Sequence, residues 1–551
     1  MSGGASGLGP RTGAASPPEP AGGAPAPAVT ATEAPPAGVA AREGLLARAF
    51  WLHPLLAGVA PALHGFRQTK DILGPLDSWP VLAIFAGSGA VLAAVFGLLY
   101  REARWGALAA SVLLVSLYLA PGLPAATWPL AWSAVALYLA AGLFLRRYRL
   151  GWPTALANLF VLLWAGLGAW QCLSDERHVH EAPVIVQPEI PAVAAPPGPD
   201  ERPDLHVLIL DGFGRADTVL ASQGFRPGLA DALGERGFLV GTDAVSPHAQ
   251  TALSLGAFFS LDTLDTRITG PLTKNRRPLR RLFDDGTLLR LLRTAGYEIV
   301  SVPGEFAGSR LPSADVRRFA GCILDEYDYY LVSQTAVPTL FAWAGLEPHA
   351  LTHGHRRECV KTQLVRWTEP PEGDRPAFVF AHLVLPHPPF VLRPDGSPRP
   401  SKAGTLADPP ADSPTEIYSA GYHDQTRWLE REVPKAVERL VAQARRPPMI
   451  FIFGDHGAGN DLDWTHPTDA QLRERMSILS AVLVPDQLRR ELGPGTGPLN
   501  VMRRIVSHVT GAPLPPLPER ALFSSWHTPF EFRDVTAIVR PVPEAAAPEP
   551  R

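Results

Sequence analysis

The sequence predicts an α/β protein in two halves: about five N-terminal membrane helices, then an outer three-layer α/β domain with a mainly parallel central sheet. Three observations predict this. The 94 residues from Pro80 to Leu173 carry only six charges, in two clusters, Arg101, Glu102, Arg104 and Arg146, Arg147, Arg149. Between Ala182 and Pro203, seven of 22 residues are proline, which marks a boundary. From Leu205 onward, short apolar runs alternate with amphipathic segments, the pattern of a parallel sheet covered on both faces.

A bilayer core of about 30 Å needs roughly 20 helical residues. The runs 80–100, 105–123, 128–145 and 152–173 approach that length. A fifth and weaker run, Leu45 to Leu63, contains Arg48, His53 and Pro54. Arg48 lies close enough to one end to snorkel, and neighbouring helices can satisfy the carbonyl that a proline frees. Arginine placement predicts the orientation. With the N-terminus cytoplasmic, the inner side carries Arg42, Arg48, Arg101, Arg104, Arg146, Arg147 and Arg149, and the outer loops only Arg67 and Lys70. Five spans that begin inside end outside, so everything after Leu173 is expected to be extracytoplasmic. Trp51, Trp79, Trp105, Trp128 and Trp152 fall near span ends, where indole rings favour the interface. The spans serve either as a bare anchor or as part of a site for a lipid substrate.

With 50 basic and 53 acidic residues among 551, the net charge is -3, and nucleic-acid binding driven by bulk charge is disfavoured. Residues 1–42 hold 8 Pro, 8 Gly and 12 Ala and are expected to be disordered. They contain no apolar stretch that reads as a signal peptide. The division expected is therefore a 1–42 tail, a 43–173 membrane region, a 174–203 proline-rich linker, a 204–540 outer domain and a disordered 541–551 tail. Three cysteines, Cys172, Cys322 and Cys359, exclude a disulfide-built scaffold and form no CxxC motif.

In the outer domain, strands are expected at Leu205–Leu210, near Phe238, at Tyr297–Val302, Ala377–Leu385, Met449–Phe453 and Ile478–Val484. Helices are expected at 228–236, 287–295 and 417–444. In such sheets chemistry collects at the carboxyl ends of strands. Asp211-Gly212-Phe213-Gly214 follows the first strand, and Gly454-Asp455-His456-Gly457 follows the strand at Met449. The glycines let the backbone turn sharply and approach a ligand. Two carboxylates and an imidazole suit Zn2+ or Mn2+. An Asp after a strand also serves as a helix cap or turn former, so Asp211 alone is ambiguous. The Asp455-His456 pair framed by glycines is more specific.

Thr251 opens the apolar helical run of residues 251–259, where free N–H groups and the helix dipole attract an anion such as a phosphoryl group. Its hydroxyl needs activation, which a divalent cation supplies; taken singly it is also an ordinary N-cap. His387, ahead of two prolines at a strand exit, and His466, ten residues after His456, can bind phosphoryl oxygens or move a proton. Either alone fits a surface or capping histidine equally well. His382 has a strand position that fits burial.

Together these residues resemble the alkaline phosphatase and sulfatase superfamily. ILDGFG is similar to its first metal-ligand strand, TALSLGAFFS to its nucleophile helix, LVLPHPPF to its phosphate-side histidine segment and FGDHGAG to its paired Asp-His ligands, in the same order along the chain. The resemblance implies one metal bound by Asp211, Thr251, Asp455 and His456, Thr251 as nucleophile, and His387 and His466 on the phosphoryl group. Membrane spans followed by an outer domain look like the membrane phosphotransferase branch, which includes lipid A phosphoethanolamine transferases and lipoteichoic acid synthases. The implied activity is transfer of phosphoethanolamine or glycerol phosphate from a phospholipid donor to an envelope glycan or lipid acceptor. No C/S-x-P-x-R string surrounds Thr251, which disfavours sulfate-ester hydrolysis, and the stretch 382–387 lacks the Asp of a second metal site. The rival readings are a membrane hydrolase of phosphate or sulfate esters and a catalytically inactive lipid-sensing protein. An intact Asp, Thr, Asp, His set argues against the second.

Overall fold

The apolar runs become helices because a chain in hydrocarbon must satisfy its own backbone groups. A computed structural model describes residues 45–69, 79–148, 150–179, 183–187, 189–193, 202–347, 350–399 and 415–540. The tails expected to be disordered, 1–42 and 541–551, lie outside these residues. After a helical turn at Leu45–Arg48 come α1 (Leu52–Thr69), α2 (Trp79–Tyr100), α3 (Ala103–Leu119), α4 (Trp128–Leu145) and α5 (Gly151–Val179).

Among the described residues four helices are long and apolar enough to cross a bilayer: Leu82–Tyr100, Ala103–Gly122, Trp128–Leu145 and Gly151–Ser174. The expected five are thus four by this measure. The difference is α1, whose His53, Pro54, Pro61 and His64 lower its hydropathy. Burial explains why α1 tolerates them. His53, Ala57, Ala60 and Ala62 are fully buried, and His53 Nδ1 lies 2.7 Å from Ser111 Oγ of α3. Gly58 and Gly89 let α1 and α2 meet backbone to backbone, since a Cβ at Gly58 would stand 2.1 Å from Phe85 O. The strongly apolar residues instead face outward: Leu98 is 80% exposed and Leu130 76%.

The proline-rich linker differs from a plain spacer. Helix α5 runs on to Val179, and β1 (Val184–Ile185) pairs antiparallel with Ile268–Thr269. Ile185, Ile190 and Val193 pack on the outer core. The outer domain is built on a seven-stranded sheet. Its strands are β2 (Leu205–Leu210), β3 (Leu239–Val240), β5 (Glu298–Val302), β6 (Val316–Arg317), β7 (Ala377–Leu383), β8 (Met449–Gly454) and β9 (Ser480–Leu483), with Ile268–Thr269 as β4 outside it. The order is β3-β9-β8-β2-β7-β5-β6, and the five strands from β8 to β6 are parallel. β9 runs antiparallel to β8, pairing Phe453 with Ser480. The segment between them begins and ends at the carboxyl edge, so the chain re-enters the sheet from the end it left.

Alternate residues of the central strands feed two cores, one per face, as the period of two requires. Val207, Ile209, Phe380, Phe451 and Phe453 pack against α6 (Thr251–Ser260) and the helices Thr287–Thr294 and Pro498–Thr510. Leu208, Leu210, Val379, Leu383 and Ile452 pack against α9 (Ala350–Trp367) and α10 (Thr415–Gln443). Between α6 and α9 lie α7 (Glu326–Ser333) and α8 (Val337–Trp343), which meet the membrane helices. Tyr327 and Leu331 of α7 pack with Ala62, Phe66, Leu82, Phe85 and Cys172, and Ala336 packs with Ala120 and Trp128. These are the helix ends opposite Arg48, Arg101, Arg104, Arg146 and Arg147.

Candidate active site

Sheet register brings the motifs together. Leu210 is level with Gly454 on one side and Leu383 on the other, so the three central parallel strands end side by side. Asp211 leaves β2 with its N–H donating to Leu383 O (3.0 Å), and Asp455 leaves β8 with a carboxylate oxygen accepting from Gly212 N (3.0 Å). Gly212 has φ +77°, a left-handed turn that glycine adopts without strain. Gly457 lets the loop after His456 press on the 474–477 backbone: a Cβ there would lie 2.0 Å from Glu474 O.

Asp211, Asp455 and His456 are each at most 3% exposed and offer ligand atoms within 4.8 Å of one another, a group that can hold a metal ion. His456 Nε2 stands 3.5 Å from Asp211 Oδ1 and 3.4 Å from Asp455 Oδ2, and neither oxygen has a hydrogen-bond donor. His456 Nδ1 lies 2.9 Å from Gly457 O and donates its proton there, which turns the Nε2 lone pair toward the carboxylates. Two buried carboxylate oxygens that no donor satisfies, both facing one imidazole nitrogen, favour a cation among them. The donor set fits a divalent ion such as Zn2+ or Mn2+. Burial and then Arg475 depress the His456 pKa, keeping the imidazole in the neutral form that binds a metal. Burial pushes the Asp211 carboxyl up, but His387, His382 and His456 outweigh it and hold the group well below the usual carboxylate range. His382, on β7, places Nε2 3.3 Å from Asp211 Oδ2; burial lowers its pKa, the Asp211 carboxylate raises it more, and the net shift is upward.

The Thr251 side chain is half-buried at the start of α6, with Oγ1 3.1 Å from His456 Nε2. The four side chains named from sequence therefore converge on one point. His387 is half-buried, its N–H donates to Asp211 O (3.1 Å), and its ring centroid lies 6.4 Å from that of His456. Its Nδ1 donates to Pro388 O at 2.7 Å. His466 is different. It is exposed in a turn whose N–H donates to Asp463 Oδ1 (2.9 Å).

Four further residues complete the surroundings. Arg475 is 4% exposed, donates Nε to Ala249 O (2.8 Å), stacks over Trp464 and brings Nη2 to 3.1 Å from His456 Nε2. Tyr422 of α10 accepts from Gly214 N and donates to Gly212 O. Gln425 accepts from Val391 N and donates to Pro386 O and His387 O. Arg356 donates to Val384 O and His387 O, with its charge matched by Glu305 at 2.8 Å. In sequence Arg475 is one charge in the run RER. Asp455→Asn and His456→Ala are expected to lose the bound metal, read by elemental analysis of the purified chain; a stoichiometric metal in both variants would remove these residues as ligands.

No protein-family model and no curated protein matches this chain. Solved structures do. The integral membrane lipooligosaccharide phosphoethanolamine transferase A from Neisseria meningitidis matches at 12% identity and a TM-score of 0.38, over 84% of this chain and 95% of its own. The C-terminal periplasmic domain of a phosphoethanolamine transferase (EptC) from Escherichia coli matches at 12% and 0.38, over 64% of this chain and 97% of its own. A phosphonate monoester hydrolase from Agrobacterium radiobacter matches at 12% and 0.35, over 58% and 80%. Phosphoethanolamine transferases, sulfatases and a phosphonate monoester hydrolase, all of the alkaline phosphatase and sulfatase superfamily, are among the solved structures that this chain is similar to.

Proposed function

We propose that this protein is an integral-membrane, sulfatase-like metalloenzyme that moves a phosphoryl head group, phosphoethanolamine or glycerol phosphate, from a phospholipid to an envelope glycan or lipid acceptor. One observation carries the reading: a threonine hydroxyl, two carboxylates and a neutral imidazole from three separate loops meet within hydrogen-bond and ion-pair distances. Asp211, Asp455, His456 and Thr251 would hold a divalent cation, Zn2+ or Mn2+, which would supply Lewis acidity to the hydroxyl and positive charge to the transferring oxygens.

The remaining chemistry belongs to the side chains. Thr251 Oγ gives its proton to water and attacks phosphorus, the bond from phosphorus to the diacylglycerol oxygen breaks, and His387 gives that oxygen a proton; when Thr251 is released in the second half, its oxygen takes a proton back from water. The acceptor hydroxyl then passes its proton to His387 and attacks the phospho-threonine, which frees Thr251. Arg475 supplies a fixed positive charge beside the phosphoryl oxygens. His466, on the loop whose Trp464 covers Arg475, is the second histidine proposed to face the phosphoryl group.

An extracytoplasmic domain and five crossings are part of the same reading. The outer domain touches the helix ends opposite the arginines, and α1, which follows the turn ending at Arg48, carries Phe66 toward that domain. Cys322 and Cys359 form a disulfide, which persists in oxidising compartments. Incubation of the metal-loaded chain with head-group-labelled phosphatidylethanolamine or phosphatidylglycerol is expected to release diacylglycerol and label an acceptor. Label found only as free head-group phosphate would make the protein a hydrolase, and no release of diacylglycerol would overturn the reading.

A further inference from the structure

Residues 329–346 form an uncharged run of eighteen, ending in the sequence VPTLFAWAGL. A soluble domain would use such a segment to fill its core, yet α8 (Val337–Trp343) has no buried residue. Trp343 is 53% exposed and Leu346 56%, while Val337, Leu340 and Phe341 are partly exposed. The segment is nonetheless held firmly. Ala336 N donates to Leu117 O of α3 (2.7 Å), Ala336 is fully buried with Ala120 and Trp128, and the Trp343 ring meets that of Trp128 edge to face at 6.1 Å. Around these anchors the membrane helices show their own exposed apolar residues, Leu119 at 51%, Leu123 at 46% and Leu130 at 76%. The apolar surface of the spans therefore continues onto α8.

We infer that α8 lies in the outer leaflet as an interfacial helix, with lipid acyl chains and glycerol backbones as its partner. The composition suits that depth, where tryptophan is favoured and charge is not. A further consequence is mechanical. Tyr329 of α7 lies 2.9 Å from His355 Nδ1, and the adjacent Arg356 grips the carbonyls of Val384 and His387. An element seated in lipid is thus joined through packed side chains to the loop that carries His387, and the active site stands at a set distance from the head groups.

The inference rests on the topology proposed above but not on its chemistry. The test uses the full chain with Cys172→Ser, in vesicles of phosphatidylethanolamine and phosphatidylglycerol. A nitroxide is placed at Leu340→Cys, Trp343→Cys or, as an exposed control, Arg490→Cys, with the Cys322–Cys359 disulfide left oxidised. Collisions with oxygen are expected to exceed those with a water-soluble nickel chelate at 340 and 343, and the order to invert at 490. A second readout needs only a conservative change: the fluorescence lost in Trp343→Phe is expected to be quenched by lipids brominated on the acyl chain. Nickel access at 343 equal to that at 490, or unquenched Trp343, overturns the inference, even in protein that still transfers head groups. Spin coupling between labels at 343 would overturn it in favour of a second copy of this chain.

Discussion

Thr251→Ala is expected to lower turnover by roughly 10^4-fold or more and to leave the metal in place. The expectation follows from the division of labour in the site. Asp211, Asp455 and His456 are buried and held by Leu383 O, Gly212 N and Gly457 O respectively, so the three proposed ligands are expected to survive the change. Only the oxygen proposed to attack, 3.1 Å from His456 Nε2, is lost. Thr251→Ser keeps that oxygen and is expected to retain measurable turnover. Elemental analysis alongside a head-group release assay separates the two roles. Full activity in Thr251→Ala would remove the nucleophile assignment, and loss of metal would make Thr251 an essential ligand instead.

Arg356→Leu is expected to destabilise the outer domain by about 3–5 kcal/mol, the usual consequence of leaving one member of a buried ion pair alone. Arg356 and Glu305 are 0% and 1% exposed. Burial already pushes the Glu305 carboxyl up to about 7, against the pull of Arg356. A group whose pKa is raised on folding contributes stability that is complete below its unfolded pKa, near 4.5, and is lost as pH rises through the folded value. Removing the guanidinium raises the folded value further. The deficit of Arg356→Leu relative to wild type is therefore small near pH 5 and grows toward pH 8, as read from thermal unfolding of the detergent-solubilised chain at each pH. Glu305→Gln combined with Arg356→Met removes both charges and is expected to restore most of the loss. A deficit independent of pH would show that the pair stabilises by packing and not by charge.

Much of the site was legible because its residues sit at strand exits. Asp211 follows LHVLIL and Asp455-His456 follows MIFIF, and a short apolar run closed by Asp and Gly reads as a strand turning over an active edge. Thr251 was legible for a similar reason, since it opens an apolar helix. Arg475 was not, because in RER at the end of α11 (Asp469–Met476) nothing local separates a buried guanidinium from a solvated one. Its burial depends on Trp464, on Ala249 and on a glycine at 459 that makes room for it. The Arg356–Glu305 pair was silent too, since its members are 51 positions apart with β6, α7 and α8 between them. His466 lies on an exposed turn, and its spacing of ten residues from His456 does not reveal which way that turn faces.

Local composition determined the membrane runs, the strands, the helix starts and the chemical identity of the residues at each strand exit, because hydropathy and periodicity act within windows of a few to about twenty residues. Tertiary structure alone decided that α1 keeps its histidines inside a helix bundle, that the proline-rich linker adds a strand, that β9 returns antiparallel, and that α8 is left uncovered beside the spans. It also decided the meeting of Thr251 with His456 across 205 positions. That contact is set by the register of three parallel strands and by the packing of one helix against them, and no window of neighbouring residues contains it.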